Sequence, residues 1–181
     1  TALDEALVID RATGRRSGEA FCLHSRGQVL VSLGRRAEAR DAFEAAREIR
    51  RALGERDVLL NTEAELALLD LADDCDAALT AVERLLADLR ADDRADVREH
   101  VQYVASCVYA THGADAQTAA YLRHAAAAMH ELLDALPAKV RTSLLQRDPL
   151  HRAVQTALAA SASLREVRLV RTGVPLGRRL D

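Results

Sequence analysis

Three side chains that can ligate metals or transfer protons, His100, Tyr103 and Cys107, follow one another at spacings of three and four residues. Residues so spaced share one face of a helix. The first and last would lie about 10 Å apart at ~1.5 Å of rise per residue, too far for ligands of one zinc ion. The spacing therefore argues against a metal site. It leaves open whether these side chains face a ligand or pack between helices.

Other potentially reactive residues give no stronger signal. His124 and His130 are six residues apart and so fall on different faces of a helix. Asp73, Asp74 and Asp76 stand at a predicted helix junction, where capping of the next helix explains them better than an acid–base pair or a calcium site. The sequence has no phosphate-binding loop, nucleophile elbow or Cys-x-x-Cys pair. We therefore expect no enzymatic activity and no metal or other cofactor.

The elements that must position these residues are helices. Apolar residues make up 49% of the 181 residues and aromatic residues only 3%, so the core must consist mainly of Ala, Leu and Val. Gly34, Gly54 and Gly113 follow apolar-periodic stretches and predict helix ends, whereas Asp148-Pro149 predicts a helix start. The pattern predicts helices near residues 2–12, 17–33, 36–53, 57–73, 75–90, 93–112, 115–135, 138–146 and 149–160.

Charge and cysteine content narrow the class of protein. The net charge is −3, so no global basic field favours nucleic acid. Residues 11–56 carry eleven Arg against six acids, and residues 57–100 carry thirteen acids against four Arg, a dipole that could orient a charged partner. Three unpaired-looking cysteines fit reduced thiols in the cytoplasm, and no apolar run approaches the roughly 18 residues of a membrane span. Because the chain begins with Thr, we expect a piece of a longer protein.

Residues 161–181 differ from the rest of the chain. They lack a helical apolar stripe, end in glycine and proline, and carry five Arg against two acids. We expect an extended tail or linker there, with a short strand from Val167 to Val170. The segment could lead to another domain or pack onto a second copy; without aromatic residues it gives little indication of nucleic-acid binding.

An internal repeat organises residues 1–160. A shift of 39 residues aligns Gly34, Ala39, Phe43 and Ala46 with Asp73, Ala78, Val82 and Leu85, and a weaker third copy begins at Gly113. Each copy predicts a pair of helices, and neither helix alone can cover its apolar stripe. Stacked hairpins would bury a continuous core, as in a solenoid.

The pattern Gly27, Leu30, Gly34, Ala39, Phe43, Ala46 resembles the tetratricopeptide repeat. In that family a small residue on the first helix admits the second helix, whose own small residue and aromatic fill the gap. The chain departs from the motif at Leu23, Arg26 and Arg36, where the family has Trp, Leu and Tyr. The period of 39–40 residues is similar to that of the longer repeats attached to bacterial signal-transduction ATPases, nucleotide cyclases and maltose-regulator-type transcription activators. The resemblance implies an all-α, right-handed superhelical solenoid.

The resemblance also implies a partner-binding groove formed by the first helix of each repeat. Carried over position by position, the groove comprises Phe21, His24, Gln28, Val31, Leu60, Glu63, Ala67, Asp70, His100, Tyr103, Cys107 and Ala110. Among these, the candidate binding residues are Phe21, His24, Gln28, Val31, Glu63, Asp70, His100, Tyr103 and Cys107.

The function expected from this resemblance is a protein- or peptide-interaction scaffold, the sensor or interaction module of a larger bacterial regulatory protein. Two alternatives remain at the level of sequence. One is a small-molecule effector domain with a pocket at His24, His100 and Tyr103. The other is a dimerisation module that uses the N-terminal helix, whose Leu3, Ala6 and Leu7 would lack a repeat partner, or the C-terminal tail.

Overall fold

The computed structural model describes the backbone of residues 2–172 and the side chains of residues 2–161. Within that range the chain forms nine helices and no strand. They are α1 (Ala2–Ala12), α2 (Arg16–Ser32), α3 (Arg36–Leu53), α4 (Arg56–Asp73), α5 (Cys75–Asp88), α6 (Ala95–Thr111), α7 (Asp115–Asp134), α8 (Ala138–Arg147) and α9 (Pro149–Thr172). The all-α fold class is confirmed.

Local sequence signals set most helix ends. At the end of α2, Gly34 has φ of 73°, and the N–H of Arg35 donates to the carbonyl of Leu30 at 2.9 Å. This is a Schellman cap. It requires a residue in the left-handed conformation, which glycine adopts without steric cost. Gly54 and Gly113 have the same geometry, so the three helix ends predicted from glycine are confirmed.

Aspartate caps begin two helices as the sequence predicted. Asp74 Oδ1 accepts a hydrogen bond from the N–H of Ala77 at 2.9 Å at the start of α5. Asp148 Oδ1 accepts from Leu150 and His151 at 2.9 and 3.1 Å at the start of α9. Both carboxylates satisfy backbone donors that have no partner within the helix, which is a structural role.

The prediction of an extended backbone after residue 160 is wrong for residues 161–172. The backbone of α9 stays helical through Thr172, including Val167–Val170, where a strand was predicted. The segment lacks an apolar stripe, but Leu, Arg and Glu are good helix formers and the first breaker is Gly173. The remaining residues of the predicted tail, 173–181, lie outside the described residues, and its role as a linker stays a prediction.

From α1 to α7, each helix packs against its neighbours in sequence. Contacts join α1 to α2, α2 to α3, and so on to α7; in addition α4 contacts α6, and α9 contacts both α7 and α8. The buried core is divided among several clusters, the largest of which lies between α4, α5 and α6. Three-residue connections at 33–35 and 112–114 keep the partners of each pair close.

The N-terminal helix has a packing partner on one side. Leu7 is buried against α2 in a cluster with Leu23 and Ile49, and Ala6 packs against the same cluster. Helix α2 thus covers Ala6 and Leu7, and the expectation that Leu3, Ala6 and Leu7 lack a partner within their own repeat stays a prediction. The large apolar side chains that α1 leaves exposed are Val8 and Ile9.

The closest approach of α2 and α3 occurs at Gly27. A Cβ atom built on this glycine would lie 2.6 Å from Cε1 of Phe43, whose ring is fully buried beside Leu30 and Leu66. Ala39 belongs to the same buried cluster, and side chains in a close-packed core have little room to move. Gly27 thus allows the helix contact and Phe43 fills the space beside it, as the sequence predicted.

We expect Gly27→Ala to lower the free energy of unfolding by about 1–3 kcal/mol, because overpacking outweighs the helix propensity that alanine adds. Urea unfolding followed by circular dichroism measures the change, with the exposed Ser32→Ala on the same helix as the control. In a Phe43→Leu background the same substitution should cost much less, because the ring atoms that clash are gone. An equal cost in both backgrounds would contradict this packing argument.

Candidate functional site

Polar side chains connect α2, α4 and α6 across their shared side. Gln28 Nε2 donates to Glu65 Oε1 at 3.0 Å, and His100 Nε2 lies 3.7 Å from the same oxygen. His100 Nδ1 is also 3.3 Å from Asn61 Oδ1. We call Gln28, Asn61, Glu65 and His100 the polar row. It brings together two of the candidate binding residues, Gln28 and His100, which are 72 positions apart in the sequence.

His24 lies next to the polar row but is directed into the core. Its ring meets the Phe43 ring edge-on at 5.4 Å, and Nδ1 is 3.4 Å from Thr62 Oγ1. Burial, with smaller effects from Arg50 and His100, lowers the pKa of His24 to about 3. The imidazole is therefore neutral at pH 7 and does not act there as a titrating group.

A buried guanidinium causes part of that effect. The Arg50 side chain is 4% exposed, and its Nη1 donates to the carbonyl of Val58 at 2.8 Å and to Thr62 Oγ1. Burial lowers the pKa of Arg50, and the carboxylate of Glu55 offsets this only in part. Among the described residues no carboxylate pairs with Arg50 within 4 Å, so backbone and hydroxyl oxygens solvate this charge.

Tyr103 and Cys107 form a separate pair further along α6. Tyr103 packs against the cluster that contains Met129 and Val154, on the side of α7 and α9. Burial and Cys107 raise the pKa of the Tyr103 hydroxyl to about 12, and burial also raises the pKa of the Cys107 thiol. At neutral pH the thiol is protonated, and a protonated thiol is a poor nucleophile and a poor metal ligand.

Two other candidate residues form ion pairs with arginines of α3 and α5, the second helices of the predicted hairpins. Glu63 is 7% exposed and pairs with Arg51 of α3 at 3.1 Å and Arg84 of α5 at 3.2 Å. Asp70 pairs with Arg40 of α3 at 2.7 Å. Both carboxylates connect α4 to neighbouring helices, away from the polar row. Their place in a partner-binding surface stays a prediction.

The exposed candidates lie on α2. Phe21 is 62% and Val31 40% exposed, and both flank Gln28 on one side of the helix. We call Phe21, Gln28 and Val31 the α2 face. Phe21 is the one aromatic among the large apolar side chains that the described residues expose, and aromatic side chains are enriched in binding hot spots. By contrast Leu60 and Ala67, which the resemblance also places in the groove, are buried in the core.

Sequence reasoning missed Asn61, Thr62 and Glu65. The 39-residue repeat makes Glu63 the equivalent of His24, whereas contacts between α2 and α4 join residues 37 or 38 apart. At about 100° per residue, Glu63 and Glu65 lie about 200° apart around the helix. A shift of 37 residues, which places Glu65 against Gln28, is the signal that would have found the polar row.

The most deeply buried acid in this region lies between α6 and α9. Glu99 is 1% exposed, and its Oε2 is 3.1 Å from Nε2 of His151, which is 3% exposed. Burial raises the pKa of Glu99 to about 8, with smaller contributions from Asp148 and Asp96. A protonated Glu99 can donate to the imidazole nitrogen, which removes the cost of burying a carboxylate there.

Comparison of the chain with protein-family models, with curated proteins and with solved structures finds no match. Within the described residues, no group of three or more His, Cys, Asp or Glu side chains is arranged to hold a metal ion. None of the helices in that range is both long and apolar enough to cross a membrane. The geometry of this chain's own residues must therefore support any functional proposal.

We expect the Glu99 proton to make stability depend on pH. Its pKa is about 8 in the folded state against 4.5 for the ordinary group, so the folded state holds a proton that the unfolded state releases. The free energy of unfolding should therefore fall as pH rises from about 5 to 8, by at most about 1.4 kcal/mol per unit for one proton. Urea unfolding at several pH values measures the slope.

Glu99→Gln should flatten this slope, because glutamine keeps the shape and cannot titrate. His151, Asp148 and Asp96 face the same group and remain in the variant, so the difference from the natural chain isolates Glu99. The exposed Glu83→Gln is the matched control and should leave the slope unchanged. Parallel curves for the natural chain and Glu99→Gln would rule out a Glu99 proton in the folded state.

Proposed function

We propose that the chain is a tetratricopeptide-like array of helical hairpins, a right-handed superhelical solenoid that serves as a protein- or peptide-interaction scaffold. Side-chain contacts that recur at a nearly constant spacing support the array. Pairs 37 or 39 residues apart join successive hairpins: Gln28 with Glu65, Arg56 with Asp93, Asn61 with His100, and the backbone carbonyl of Cys75 with the His112 side chain.

The observation that carries the scaffold proposal is the exposed apolar surface of the α2 face. Phe21 and Val31 present apolar side chains, and Gln28 holds an amide group between them. An exposed aromatic on a rigid helix is a suitable anchor for a partner, since its ordering costs little on docking. The polar row continues from Gln28 toward α6 and offers hydrogen-bonding groups beyond the anchor.

This surface fits a peptide segment with an apolar side chain for Phe21 and polar groups along its length. Glu65 accepts hydrogen bonds in the polar row, so a donor-bearing segment is favoured over an acidic one. A place in a larger cytoplasmic regulatory protein of a bacterium rests on the resemblance to the long-repeat subfamily alone. A small-molecule pocket at His24, His100 and Tyr103 has less support, because these side chains are engaged in contacts within the protein.

We expect peptides selected from a random library on the purified chain to depend on Phe21. Phe21→Ala should raise the Kd of such peptides about tenfold or more, because it removes the anchor. Fluorescence anisotropy with labelled peptides measures the change. Val140→Ala removes a comparably exposed apolar side chain from α8 and is the matched control. Both variants should keep the thermal midpoint of the natural chain.

Three results would overturn the proposal. One is a library selection that enriches no peptide above background. Another is a set of peptides that bind Phe21→Ala and the natural chain equally well. A loss of binding in Val140→Ala equal to that in Phe21→Ala would have the same consequence, since it would remove any special role of the α2 face.

A further inference from the structure

A cavity of about 440 Å³ opens between α5, α6 and α7, away from the α2 face. Apolar walls and convergent polar groups are both present, as in sites for small molecules. The lining residues that the following argument uses are Arg90, Arg98, Gln102, Tyr121, His124 and Glu131. Leu86 and Leu89 contribute to the apolar wall.

One of the lining residues, Gln102, has an unpaired side-chain oxygen. Oε1 of Gln102 is shielded from solvent and has no hydrogen-bond partner within the protein. A buried acceptor without a partner costs free energy, and most such atoms in proteins are satisfied. Gln102 lines the cavity through its other atoms, so a ligand that donates an N–H or O–H group would satisfy Oε1 after a rotation of this side chain.

Two arginines give the cavity a positive side. Arg98 is held in place, because its Nε donates to the carbonyl of Asp93 at 2.9 Å and its Nη2 to Glu131 Oε1 at 2.6 Å. Arg90 also lines the cavity, and no ion pair to its guanidinium occurs within the described residues. With Glu131 as the opposing carboxylate, two positive charges face one negative charge. Guanidinium groups bind carboxylates and phosphates through paired hydrogen bonds.

Aromatic rings form a fixed wall. Tyr121 stacks on Tyr109 with ring centroids 5.3 Å apart and planes at 10°, and it meets His124 edge-on at 6.0 Å. The rings are thus positioned before any ligand arrives, and such a wall suits a planar ring.

We propose that this cavity binds a small aromatic anion: a planar ring that bears a carboxylate or a phosphate together with a hydrogen-bond donor. The anionic group lies at Arg90 and Arg98, the ring packs beside Tyr121, and the Gln102 side chain turns its Oε1 toward the donor. The site goes beyond the scaffold function. Arg98 and Gln102 are each two residues from His100, so each lies about 160° away from it around α6. The cavity and the polar row therefore use opposite sides of that helix.

Nuclear magnetic resonance titration and calorimetry of the full chain test the proposal with two probes. Adenosine monophosphate carries a phosphate, a planar ring and an amino group, and 4-aminobenzoate carries a carboxylate in the same combination. At least one should bind with saturable shifts at Gln102 and its neighbours. Adenosine, which lacks the anionic group, and inorganic phosphate, which lacks the ring, should bind about tenfold more weakly or worse. The stronger probe identifies the anionic group that the site prefers.

Variants connect the binding to the named residues. Arg90→Gln should raise the Kd of the bound probe about tenfold, whereas Arg26→Gln, the same change on α2, should leave it unaltered. Gln102→Leu should also weaken binding, yet raise the thermal midpoint of the ligand-free chain, because it removes the unpaired acceptor. The proposal fails if neither probe gives saturable shifts up to about 5 mM. It fails equally if Arg90→Gln and Arg26→Gln bind alike.

Discussion

Close helix contact through small side chains is the constraint on which the rest of the structure depends. Several alanines of the core are entirely buried, namely Ala20, Ala39, Ala46, Ala64, Ala67, Ala78, Ala105 and Ala125. Such short side chains contact a neighbouring helix only if the two helices approach closely. A hairpin of two helices leaves part of its apolar stripe uncovered, so the next helices along the chain cover it. Gly27 is the extreme case, where even a methyl group meets the Phe43 ring.

The helices could be predicted because their ends depend on local chemistry. A glycine in the left-handed region or an aspartate before the first turn acts over a few residues, so Gly34, Asp74 and Asp148 could be identified without tertiary information. The same reasoning explains the error after residue 160. The loss of an apolar stripe was read there as the end of the helix, but a stripe reports burial, and the first helix breaker comes only at Gly173.

The polar row could not be predicted, because it depends on how neighbouring helices are offset and rotated. The repeat aligns equivalent positions at 39 residues, but Gln28 of α2 meets Glu65 of α4 at 37. Two residues of difference move a side chain to nearly the opposite side of a helix. Glu63, chosen by equivalence, thus lies among arginines of α3 and α5. Similarly, the contact between Glu99 and His151 joins residues 52 apart that belong to no repeat pattern.

Helix α6 takes part in both surfaces that carry proposals, so its freedom to move decides whether they communicate. His100 joins α6 to Glu65, while Arg98 and Gln102 line the cavity on the other side. A ligand can alter the polar row only by favouring a different position of α6. Ala105 and its buried neighbours pack in the seam with α4 and α5, and closely packed cores resist gradual displacement. The packing therefore favours two surfaces that bind independently, with α6 as a common rigid support.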